Sequence, residues 1–189
     1  MRLILASTSR YRRALLERLG IAFEAVAPDV DETPRSDELP HERATRLAKA
    51  KALAVAKHAS DAWVIGSDQV AALGSSILRK PITRERAVAQ LAQSSGQTVD
   101  FFTALSLARG QHMVSALDHT RVQFRVLDRS SIERYIEREQ PLDCAGAFKC
   151  EALGITLFER IDASDPTALI GLPLIALSRM LREAGWQVP

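Results

Sequence analysis

Cysteine is nearly absent from this sequence: Cys144 and Cys150 are the only two among 189 residues. Their spacing fits neither a Cys-x-x-Cys redox motif nor a zinc ribbon, so we expect both thiols reduced. Histidine is also sparse. His41, His58, His112 and His119 show no metal-ligand spacing and no Ser or Cys partner, which leaves a triad mechanism without an anchor. Long hydrophobic runs are missing too. The longest charge-free apolar stretch, Pro166 to Ser178, holds two prolines and is far shorter than the ~20 residues that span a bilayer. The opening Leu3-Ile4-Leu5-Ala6 is too short for the apolar region of a signal peptide, so we expect a cytoplasmic protein with no membrane partner.

A charge excess of either sign is lacking as well. The 25 basic and 23 acidic residues give a net charge of +2 and are scattered along the chain, which gives no support to binding a nucleic-acid polymer. What is present is ordinary globular material, 47% hydrophobic and 25% charged, in a length that builds one core. We expect a single domain over residues 1–189.

Periodicity predicts the elements. Leu3–Ala6 reads as a buried strand, followed by a helix from Tyr11 to Leu19 that Gly20 stops. A second strand, Ile21 to Ala27, leads into Pro28–Pro40, a polar loop with five acidic residues and three prolines. A helix over His41–Lys57 precedes a strand from Trp63 that ends near Asp68. Val70–Leu78 reads as a hairpin around Gly74-Ser75-Ser76, and Arg84–Gln93 as a helix. Thr98–Ala108 and Met113–Val126 read as long strands meeting at Arg109-Gly110. Asp128 is a good N-cap for a helix over Arg129–Glu137, and a last helix covers Leu172–Ala184. Strands mixed with helices, with long hairpins, predict an α/β fold with a mixed sheet.

Four segments could carry chemistry. Ser7-Thr8-Ser9-Arg10-Tyr11-Arg12-Arg13 opens a helix with hydroxyls and three arginines, where amide groups and guanidinium forks suit a phosphate chain; a plain capped helix with solvated arginines has the same look. Asp29-Val30-Asp31-Glu32 offers hard oxygen ligands to magnesium or manganese, or is a solvated loop. Gly66-Ser67-Asp68-Gln69 puts a carboxylate at the end of an apolar strand, suited to activating a water or binding a metal, or to capping a turn. Lys51 and Lys80 could add positive charge. Cys144–Glu151, with Gly171-Leu172-Pro173-Leu174, brings small residues that allow close approach of a ligand, and Phe148, Lys149 and Glu151 could contact a base.

Together these segments resemble the Maf family of nucleotide pyrophosphatases, from Leu3 almost to the C-terminus. The likeness lies in Leu-Ala-Ser-x-Ser-x-x-Arg-Arg at Leu5–Arg13, Asp31-Glu32, Gly66–Asp68 and Gly171-Leu172-Pro173-Leu174. Ser67-Asp68-Gln69-Val70 and the run from Cys144 to Arg160 resemble the branch that hydrolyses 7-methyl-GTP. The branch acting on dTTP and UTP has Asp-Thr where Asp68-Gln69 stands, and Gln at Glu151. Two positions depart from the pattern: Arg79 stands for Gly before Lys80-Pro81, and Ala50 for Glu before Lys51.

The resemblance implies a Maf/ITPase-like fold, a single domain with a strongly twisted mixed sheet flanked by helices and scope for two lobes around a cleft. It implies cleavage between the α and β phosphates with a divalent metal, Asp68 being the general base. Ser9, Arg12, Arg13, Lys51 and Lys80 would meet phosphates, Glu32 and Asp68 the metal, and Tyr11, Gln69 and Glu151 the base. N7 methylation makes the purine cationic, which suits a stacked Tyr11 and an accepting Glu151. A homodimer is also implied. The alternatives are a dTTP/UTP pyrophosphatase and a nucleotide-binding regulator of cell division.

Overall fold

Four apolar residues in succession form strand β1 (Leu3–Ala6), buried along its whole length in the computed structural model, which describes residues 1–188. A strand without polar alternation needs cover on both faces. Leu3 and Leu5 pack with Leu15 and Leu16 of helix α1 (Arg10–Glu17) and with Leu177 and Leu181 of helix α5 (Leu174–Glu183). Ile4 and Ala6 pack instead with Ala52, Val55 and Ala56 of helix α2 (Pro40–Ala56). Side-chain alternation along one short strand thus assigns helices to opposite faces of the sheet.

Strand β1 pairs in parallel with β2 (Glu24–Val26) and with β3 (Trp63–Leu73), the latter in register from Leu3 opposite Trp63 to Leu5 opposite Ile65. The chain turns back at Gly74-Ser75 into antiparallel β4 (Ser76–Leu78). With β5 (Thr98–Arg109), β6 (His112–Phe124) and β7 (Phe158–Asp162), the sheet order is β2-β1-β3-β5-β6-β7, with β4 beside β3. Parallel and antiparallel pairs coexist, so the expected mixed sheet is present.

The chain forms two compact units. The first takes Met1–Gln69, Phe102–Asp118 and the chain from Asp165 onward, and holds α1, α2 and α5. The second takes Val70–Phe101 and His119–Ser164. In it helix α3 (Arg84–Ser94) packs on helix α4 (Arg129–Glu139), and Phe101, Phe124, Phe148 and Phe158 stack edge to face with centroids 4.8–5.7 Å apart. No helix among the described residues is long and apolar enough to cross a membrane.

Three expectations change. The strand carrying Asp68 does not end there: β3 continues through Val70-Ala71-Ala72, which are themselves buried, to Leu73. Strand β2 is limited to three exposed residues, because Ile21 and Phe23 turn into the core beside α1 and α5. The last helix begins at Leu174, since Gly171 has φ +128° and Pro173 holds the N-cap position.

Candidate active site

Alternation along β3 sorts four consecutive residues. Gly66 and Asp68 face α2, while Ser67 and Gln69 face the 168–171 segment. The approach of α2 is unusually close. A Cβ at position 66 would lie 2.2 Å from the Ala48 carbonyl oxygen and 2.5 Å from the Ala52 amide nitrogen. Glycine on the strand and alanines on the helix therefore let Lys51, on the buried face of α2, lie beside the strand. Its Nζ donates to Asp68 Oδ1 at 2.6 Å and lies 2.8 Å from Glu32 Oε1. Lys51 and Asp68 are about one-tenth exposed and Glu32 is 55% exposed, so one ammonium joins a buried carboxylate to an open one. Removing Lys51 would leave the buried Asp68 carboxylate without this partner, a loss that costs about 3–5 kcal/mol.

Helix α1 delivers the arginines. Ser9 is its N-cap, and its Oγ accepts from the Arg12 amide at 3.4 Å. Arg12 Nε donates to the Gly171 carbonyl at 2.8 Å, and Ser67 Oγ donates to the same oxygen at 3.1 Å. Burial lowers the Arg12 guanidinium from its ordinary value, and the carboxylates of Asp68 and Glu32 oppose that fall. Arg12 thus belongs electrostatically to the same centre as Lys51.

The 165–174 segment that presents Gly171 is tied down by side chains the sequence reading passed over. Asp165, 3% exposed, accepts from the Thr167 and Ile175 amides, and Thr167 Oγ1 accepts from the Leu174 amide. These two residues cap α5 in place of Pro173, which has no capping side chain. Gln69 Nε2 lies 3.0 Å from Thr103 Oγ1, Ala168 O and Leu169 O. An amide nitrogen has two protons, so these acceptors saturate it. The nitrogen of the expected base reader is committed to the protein's own backbone.

The other expected residues fall as follows. Tyr11 is half-buried; Arg10 Nη2 donates to its hydroxyl at 2.7 Å, and the Arg10 guanidinium lies 4.8 Å from its ring centroid. Arg13 is exposed and pairs with Glu17 at 3.3 Å. Lys80 and Glu151 are exposed residues of the second unit. The contact of Phe148 and Lys149 with a base gains no support, for a physical reason. Phe148 is buried among phenylalanines, and Lys149 Nζ donates to the Glu139 carbonyl and lies 3.2 Å from Glu139 Oε1. Neither cysteine is in a disulfide, and burial, then the Glu151 carboxylate, pushes the Cys150 thiol up to about 12.

Glu32 is reached by grips that sequence reasoning also missed. Arg43 Nη2 donates to the Glu32 carbonyl at 2.8 Å, Arg46 Nη2 donates to the Thr33 carbonyl at 3.2 Å, and Arg46 also holds Glu38. The available signal was two arginines three apart on the helix that follows a five-acid loop. Among the described residues no group of three or more His, Cys, Asp or Glu side chains gathers as a metal cage. Glu32 and Asp68, which share Lys51, are the hard carboxylate donors that could hold magnesium or manganese, ions that take their other ligands from phosphate and water.

Comparison with known proteins gives the family. A 7-methyl-GTP pyrophosphatase of Xanthomonas axonopodis pv. citri is 58% identical over 188 residues, covering 100% of this chain and 99% of that one. One of the same name from Aromatoleum aromaticum is 53% identical, covering 100% and 98%. A solved structure, a HAM1 protein from Coxiella burnetii, shares the fold at 14% identity with a TM-score of 0.53, covering 97% of this chain and 99% of that one. The family described as Maf-like protein matches residues 2–184, a span that takes in every site residue named above, and the chain belongs to that family.

Proposed function

We propose that this chain hydrolyses 7-methyl-GTP to 7-methyl-GMP and pyrophosphate, clearing a modified nucleotide from the pool. One observation carries the reading: Lys51 joins Asp68 to Glu32 beside Arg12, in a chain aligned end to end with proteins named 7-methyl-GTP pyrophosphatase.

In this mechanism a water attacks the α-phosphorus in line with the departing pyrophosphate. Asp68 takes the water's proton, the bond from the α-phosphorus to the bridging oxygen breaks, and its electron pair leaves with pyrophosphate. Lys51 donates to Asp68 Oδ1, which fixes the carboxylate and places a positive charge beside it. Arg12 is oriented in advance by its Nε bond to Gly171, so meeting a phosphate costs it little side-chain freedom. Ser9 and Arg13 add donors to the phosphate chain. Asp68 and Glu32 would hold a divalent cation, Mg or Mn, which when bound neutralises charge on the phosphate oxygens. Tyr11 selects the cationic guanine, and Gln69 contributes through its carbonyl oxygen. A cytoplasmic homodimer completes the reading; fractionation and sedimentation velocity test it.

The deciding experiment measures pyrophosphate release from 7-methyl-GTP, GTP, dTTP and UTP with Mg or Mn. We expect kcat/KM for 7-methyl-GTP to exceed the others by roughly tenfold or more. A preference for dTTP and UTP would move the chain to the other branch of the family. Metal-dependent binding without hydrolysis would point to a nucleotide-binding regulator.

A further inference from the structure

The acidic loop before α2 is held far more firmly than a solvated loop requires. Arg46 Nε and Nη2 engage both carboxylate oxygens of Glu38, and its Nη2 also donates to the Thr33 carbonyl at 3.2 Å. The pair is largely buried, at 17% and 8% side-chain exposure. One residue earlier in the loop, Arg43 Nη2 donates to the Glu32 carbonyl at 2.8 Å. Two adjacent carbonyls, Glu32 and Thr33, are therefore gripped from the helix that carries Lys51, and Lys51 meets the Glu32 side chain at 2.8 Å. Backbone and side chain of Glu32 are thus referred to one rigid element.

We propose that Arg46, braced by Glu38 and assisted by Arg43, is a positioning residue that holds Glu32 against the Lys51–Asp68 centre. The proposal rests on the reading that Glu32 serves the hydrolysis. Its physical content is geometric. Glu32 is half-exposed at the end of a long loop, and without the grip its carboxylate samples many positions, of which few meet Lys51. The planar fork of Arg46 supplies two bonds to Glu38 and one to the Thr33 carbonyl, an arrangement that a lysine cannot reproduce. A loop tether with no bearing on chemistry would predict loss of stability alone.

The test is a double-mutant cycle of wild type, Arg46→Gln, Glu32→Ala and the double variant, with Glu38→Gln as a second route to loosening the loop. Arg46→Gln and Glu38→Gln should lower kcat about tenfold with KM changed less than about threefold, and the double variant should be no slower than Glu32→Ala. Amides 32–39 should exchange hydrogen faster in both single loop variants than in wild type, while α2 beyond Lys51 stays protected. A loss on Arg46→Gln that persists in full in the Glu32→Ala background would overturn the proposal, as would an unchanged kcat in both loop variants. If wild type turns over no nucleotide, the functional reading fails on its own. The exchange comparison then decides the grip, and unaltered exchange at 32–39 would dispose of it.

Discussion

Asparagine in place of Asp68 keeps the size of the side chain and an oxygen for Lys51 to donate to, but removes the capacity to take a proton. Lys51 still has Glu32 as a counter-ion, so the buried ammonium is not stranded. Asp68→Asn should therefore lower kcat by about 10²–10⁴-fold, the span of general-base catalysis, with a melting temperature within a few degrees of wild type. Pyrophosphate release from 7-methyl-GTP and a thermal melt decide it; turnover within severalfold of wild type would exclude Asp68 as the base. At this scale Asp68 stood out as a candidate in Gly66-Ser67-Asp68-Gln69, and its setting was not legible. A carboxylate after an apolar run reads as the end of a strand, yet here the strand persists because Val70, Ala71 and Ala72 are also buried. Gln69 shows the same limit from the other side. The resemblance implies a base reader at its position, and only the fold reveals that its amide nitrogen is occupied by Thr103 and the 168–169 carbonyls.

At the scale of elements, the contact of α2 with β3 sets the site. Gly66→Ala would drive a methyl group into the Ala48 carbonyl and the Ala52 amide, both backbone atoms of a helix that cannot yield locally. Overpacking of this kind costs about 1–3 kcal/mol, and moving α2 outward also takes Lys51 away from Asp68. Both stability and kcat should fall, and adding Ala52→Gly should not restore them, since the nearest obstacles are main-chain atoms. Urea unfolding and steady-state kinetics on the two variants check this; wild-type stability in Gly66→Ala would contradict the packing argument. Most elements were legible from pattern alone. The alternation of β5 and β6, the turn at Gly110 and the Asp128 cap of α4 fall within a residue or two of expectation. Strand β7 was missed because Phe158-Glu159-Arg160-Ile161-Asp162 is short and mostly charged, and its pairing with β6 is a long-range fact that no local window contains. The cap of α5 was missed for a related reason: Asp165 and Thr167 act across a 3-10 turn, at no standard capping offset.

For the whole molecule, two carboxyls, a phenol and a thiol bound the pH range over which the fold is stable. On the acid side, the Arg46 hydrogen bond holds the Glu38 carboxyl down to about 2, and the Ser130 hydroxyl followed by the Ser131 amide holds Asp128 down to about 2. Unfolded, such groups take up protons near about 4, so between there and pH 2 the unfolded chain binds more protons and stability falls with acidification. On the alkaline side, burial raises Tyr135 above its ordinary value and pushes the Cys150 thiol up to about 12. An unfolded thiol ionises near about 8.5, so above that pH the unfolded chain binds fewer protons and stability falls as pH rises. Stability should thus form a plateau between roughly pH 5 and 8 with a decline on each flank. The variants assign the flanks. The stability of wild type relative to Glu38→Gln should be constant above about pH 5 and shrink toward pH 2, and that relative to Cys150→Ala should be constant at neutral pH and shrink above about 8.5. Urea unfolding across the range measures both differences. A Cys150→Ala difference that stays flat to pH 11 would mean that the thiol ionises as readily folded as unfolded, and that neither its desolvation nor the neighbouring Glu151 carboxylate governs the alkaline limit of the fold.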